Sequence, residues 1–116
     1  MGSRGADIAY DLVTTPNVRP WVQARAETFL QSPAFEKVAT LNLRAIVKLR
    51  YSAGCEEKRV LLLDLKKESD ERALFELVPL QDRTGCGARK KDDCYPCLRT
   101  SNELDDTIAA VRKRKR

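Results

Sequence analysis

Histidine is absent from this 116-residue chain. Its absence removes the side chain that most often serves as a general base near neutral pH, and the commonest metal ligand with it. The carboxylate pairs Glu56 with Glu57, Asp92 with Asp93 and Asp105 with Asp106 are sequence neighbours that read as solvated surface or helix-start charges. No phosphate-cradling glycine loop replaces them. The expectation is a protein without catalytic activity. Aromatic residues make up only 6% of the chain, and no run approaches the roughly 20 apolar residues of a membrane span, so no membrane partner is expected. The first residues, MGSRGADIAYDL, lack the apolar core of a secretory signal, and Ala6 stands where a myristoylation signal has Ser or Thr. Together these absences predict a cytoplasmic protein.

What the chain has is charge, 34% of its residues, with a net of +5. Arg112, Lys113, Arg114, Lys115 and Arg116 supply that whole excess, and the rest balances 17 basic against 17 acidic side chains. A basic binding face on the folded part must therefore come from segregation of charge. The RKRKR run also reads as a nuclear localisation signal, which would make the chain a nuclear factor.

The most patterned stretch is Asn42 to Leu65, where two runs rich in Val, Ile, Leu and Tyr flank a short polar segment containing Gly54. That pattern predicts a β-hairpin. In its first run Leu43, Ala45, Val47, Leu49 and Tyr51 alternate with Arg44, Ile46, Lys48 and Arg50, which gives one apolar and one mostly cationic face. The second run, KRVLLLDLKK, is apolar on both faces and predicts a central strand, and ALFELVPL, ended by Pro79, predicts a third.

Before the hairpin, Pro20 opens a predicted helix, WVQARAETFLQ, whose Trp21 and Phe29 are expected in the core. Ser32 caps a short second helix from Pro33, or else a linker turn follows. Gln81 to Asp93 is a predicted loop. Thr100 and Glu103 stand in capping-box relation before a last helix carrying Leu104, Ile108 and Val111. The fold class expected is α+β in two layers, with helices on one face of a three-stranded antiparallel sheet, in the order α-β-β-β-α. Residues 1–19 would be a flexible lead, 20–111 a single domain and 112–116 a basic tail.

Cys55, Cys86, Cys94 and Cys97 are the four cysteines. Cys94 and Cys97 form a Cys-x-x-Cys turn that presents two thiolates to one zinc ion, and the other two would complete the tetrahedral set if the hairpin tip approached the later loop. The competing expectation is four reduced, unliganded thiols and no cofactor. The zinc alternative makes the chain a small protein-interaction module.

Arg44, Lys48, Arg50, Ser52 and Gly54, in RAIVKLRYSAG, resemble the basic first strand of the smaller Alu-domain subunit of the signal recognition particle. Trp21, Arg25, Ala26, Glu27 and Pro33 are similar to that family's first helix, and Asp92, Asp93, Cys97, Leu98 and the helix from Ser101 to its third strand and last helix. ALFELVPLQDRTGCGARKK then stands as an insertion. The resemblance implies non-catalytic binding of structured RNA through a basic sheet face, in a ribonucleoprotein, with a homologous larger subunit completing a heterodimer. Arg44, Lys48 and Arg50 would contact phosphates, joined by Lys90, Lys91, Arg112 and Lys113 as further cations.

Overall fold

The computed structural model describes residues 3–114, and in it the stretch assigned above to two strands is two helices, α4 (Leu41–Arg50) and α5 (Cys55–Glu68). Ile46 decides between the two periods. Alternation places it outward with the cations, yet it is fully buried, as are Leu43 and Leu49. Leu43 and Val47 satisfy either reading, because positions four apart share a face both in a strand and in a helix. Leu, Arg, Ala and Lys around them are good helix formers, and tertiary burial settles the rest. Gly54, extended at φ −161°, precedes α5, whose Glu56 and Glu57 lie in the first turn and Lys66 and Lys67 in the last, complementing the helix dipole.

The α-β-β-β-α layout is therefore wrong. Among the described residues the only sheet is an antiparallel pair of two-residue strands, β1 (Gly85–Cys86) and β2 (Asp92–Asp93). ALFELVPL is also helical, forming a 3-10 turn and helix α6 (Leu74–Leu77) before Pro79 enters a second 3-10 turn. The chain divides into two compact units, Met1–Arg44 and Ala45–Arg116, with the boundary within α4.

In the first unit the expected flexible lead is helix α1 (Ser3–Thr14), which buries Ala6, Ala9, Tyr10 and Val13 at helical spacing. It packs on α2 (Pro20–Leu30) and α3 (Pro33–Val38). Pro20 occupies the first turn of α2 as expected. Ser32 caps α3, its hydroxyl accepting from the Phe35 amide at 3.4 Å, and Phe29 meets Phe35 edge to face at 6.0 Å.

The second unit packs α5 against α7 (Glu103–Arg112), with α6 also on α7. Leu62 and Leu65 of α5 and Leu104, Ile108 and Val111 of α7 supply much of its core. Helix ends are closed by side chains from elsewhere. Lys58 donates to the Leu49 carbonyl at 3.2 Å and to Ser52 Oγ at 2.8 Å where α4 ends, with its ammonium 5.9 Å above the Tyr95 ring. Arg114 donates to the Leu65, Lys66 and Ser69 carbonyls at the end of α5. The predicted capping box does not form: Ser101 Oγ accepts from the Glu103 amide, and Thr100 Oγ1 donates to the Cys97 carbonyl.

Candidate binding site: a disulfide-closed basic hairpin

The four cysteines pair as Cys55–Cys97 and Cys86–Cys94, with Cα separations of 6.1 and 5.3 Å. The expectation of reduced thiols is corrected, since no cysteine is free. With each sulfur bonded to another, the four are not gathered as one donor set, and no metal-holding cluster of His, Cys, Asp or Glu occurs among the described residues.

Cys55–Cys97 joins the start of α5 to the 3-10 turn Pro96–Arg99, 42 residues away in sequence. Cys86–Cys94 closes a much shorter loop, 8 residues apart, and that loop carries the cations. Its backbone is a tight turn in which the Lys90 amide donates to the Gly87 carbonyl at 3.2 Å and the Gly85 amide to the Lys90 carbonyl at 2.9 Å. Gly87 has φ +82°, and a β-carbon there would run into the Asp92 side chain, so a substitution is strained and displaces that carboxylate. Lys90 itself is left-handed at φ 58°, a conformation that favours Gly or Asn.

The base of the hairpin is clamped by Arg99. Its guanidinium grips Asp93 with two bonds, Nε to Oδ2 at 2.9 Å and NH2 to Oδ1 at 3.0 Å, and reaches the Asp82 carbonyl at 2.8 Å. The Arg99 bonds, followed by the Tyr95 amide, hold the Asp93 carboxyl below the usual carboxylate range. Asp82 is lowered too, first by the Thr84 hydroxyl and then by the Thr84 amide. Staple and clamp together fix a small hairpin whose tip presents Arg89, Lys90 and Lys91, all exposed.

Of the cations selected from sequence, the structure gathers only Lys90 and Lys91 in this hairpin. Arg44 is half-buried on α4 and donates from Nε to the Ala39 carbonyl at 3.0 Å. Arg50 is engaged with Glu76 at 3.0 Å and lies 5.7 Å over the Tyr51 ring. Lys48 is exposed on the helix, so the three do not form a ladder along a strand. Arg112 and Lys113 are exposed at the end of α7, whereas residues 115 and 116 of the tail lie outside the described residues. Arg89 is the residue the sequence reading missed. Its signal was available, a run of three cations bracketed by two cysteines eight apart.

Trp21, expected in the core, is 60% exposed on α2. It borders an apolar groove between α1 and α2 of about 350 Å³, lined by Ile8, Leu12, Val22 and Phe29 over Ala9 and Ala26. Comparison with protein-family models, curated proteins and solved structures returns no match.

Proposed function

We propose that this chain is a non-catalytic protein-interaction module that takes an acidic segment of a partner protein on the Cys86–Cys94 hairpin. The observation that carries the reading is the exposure of Arg89, Lys90 and Lys91 on a loop fixed by a disulfide below them and by the Arg99–Asp93 pair at its base. A loop already ordered loses little conformational freedom on binding, so its cations retain more of their attraction for carboxylates. Exposed Asp92 beside them and Asp82 below limit the positive field to a small patch. Such a patch matches a few carboxylates better than a long phosphate track. Two disulfides favour an oxidising compartment as the place where this geometry persists, and the zinc-bearing form of the module is not needed to hold it.

A second reading keeps structured RNA as the ligand, within a ribonucleoprotein and beside a homologous subunit, and is favoured by the exposure of Lys48, Arg112 and Lys113 in addition to the hairpin cations. Its contacts would come from helices and loops, because the basic sheet face does not exist.

Competition separates the two. A capped Glu-Ser repeat peptide and a short hairpin RNA are titrated against the oxidised protein and against an Arg89→Gln, Lys90→Gln, Lys91→Gln variant. The module reading expects peptide binding that the triple substitution weakens by about tenfold or more, with RNA bound more weakly than peptide at matched salt. RNA binding that exceeds peptide binding and falls steeply with salt would replace it with the second reading. Equal peptide affinity of the two proteins would reject the hairpin as the site.

A further inference from the structure

The first unit holds a surface that the hairpin reading does not use. Between α1 and α2 the rims of the groove are Ile8 and Leu12 on one helix and Trp21, Val22 and Phe29 on the other, over a floor of the small residues Ala9 and Ala26. Ile8 is 51% exposed, and with Trp21 it ranks among the large apolar side chains left in water. Apolar surface gathered in one groove, with a tryptophan and an arginine on its edge, has the composition of interaction hot spots. Arg25 is the one ionisable side chain in the lining, it is exposed, and it makes no ion pair or hydrogen bond among the described residues.

That single charge selects the occupant. A second copy presenting the same groove would offer apolar surface and another arginine but no carboxylate for Arg25, so it is the poorer partner. The surface left open between two packed helices suits a third helix, whose side chains at every third and fourth position enter the groove. We propose that the α1–α2 groove binds an amphipathic helix of a partner protein, with apolar anchors over Ala9 and Ala26 and a carboxylate placed against Arg25. This rests on the reading of the chain as a protein-interaction module and adds a site on the other unit, of mixed apolar and acidic preference.

Trp21 is the only tryptophan in the chain, so its emission reports the groove directly. The probes are capped helical peptides with leucines at every third and fourth position, identical except for Glu, Gln or Lys flanking the leucine face. Binding of the Glu peptide is expected to shift Trp21 emission to shorter wavelength, and its dissociation constant should be about three- to tenfold below that of the Lys peptide. Anisotropy of the labelled peptides then reads the variants. Arg25→Glu should reverse the order of Glu and Lys peptides, and Ile8→Asp should weaken all three, with helical circular dichroism unchanged. The hairpin triple variant should bind these peptides like the unsubstituted protein, which keeps failure here distinct from failure of the hairpin reading. Absence of a Trp21 shift with every peptide would overturn the proposal, as would a Glu-over-Lys preference that survives Arg25→Glu.

Discussion

Ile46 and Trp21 were misplaced by opposite errors at the residue scale, and both show what a side chain's type leaves open. Ile46 sits between Ala45 and Val47 in a stretch that alternates well enough to pass for a strand; only its complete burial reveals the helical face. Trp21 looks like core because tryptophan usually is, but its position at the second residue of α2 points it out of the unit. Other residues were legible from local chemistry alone. Ser32 before Pro33 caps α3 as expected, and Ser32→Ala should cost about 1 kcal/mol in chemical denaturation. At the hairpin base, Asp93 and Asp82 should titrate below ordinary aspartates in carboxyl NMR. A carboxyl whose folded pKa is depressed adds stability above its unfolded pKa and loses it as pH falls through the folded value. The Asp93–Arg99 contribution is therefore present at neutral pH and is lost as pH falls below the ordinary carboxylate range, through the lowered Asp93 midpoint. Arg99→Gln should raise the Asp93 midpoint towards the ordinary value and flatten the acid side of the stability profile. An unmoved Asp93 midpoint would mean that the clamp is not made in solution.

Among the elements, the helices with strong local signals were readable and those defined by packing were not. Pro20 at the start of α2, Pro33 at the start of α3, and Leu104, Ile108 and Val111 at i, i+4 and i+7 in α7 each mark a helix without outside help. In α4 and α5 the same residues serve either a strand or a helix, and for α5 the choice depends on neighbours distant in sequence, chiefly α7 and the turn that holds Cys97. Disulfide connectivity was not legible because four cysteines allow three pairings and spacing does not choose among them. The hairpin was visible as a cation run between Cys86 and Cys94, but its rigidity comes from the staple and from Arg99, which no local pattern announces. The two staples should differ in effect. Opening the 42-residue loop with Cys55→Ser and Cys97→Ser should cost about 4 kcal/mol by chain entropy, and opening the 8-residue loop about 2.5 kcal/mol. Denaturant midpoints of the two double variants check this order. Peptide affinity should fall in the Cys86→Ser, Cys94→Ser protein even where the helices remain intact, since the loss there is of a fixed loop.

For the whole molecule, charge and structure lead to a different surface from the one that sequence alternation suggests. A chain neutral outside its tail can present a basic face only where charge is segregated, and two of the α4 cations are engaged within the fold, Arg44 with a backbone carbonyl and Arg50 with Glu76. Among the exposed features are a compact cation group at the hairpin tip, Lys48 on α4, further cations where α7 ends, and an apolar groove with one arginine in the first unit. Under the two proposals each unit has its own ligand preference, an acidic segment for the basic hairpin and an apolar helix with a carboxylate for the groove. Far-ultraviolet circular dichroism should be dominated by helix, and a sheet-rich spectrum would return the account to its starting point. The most direct test of the central claim is amide chemical-shift mapping of the oxidised protein during titration with the Glu-Ser peptide. The account predicts that the largest perturbations fall on Gly87 to Lys91. Perturbations that spare this segment and fall instead on Lys48, Arg112 and Lys113 would contradict it.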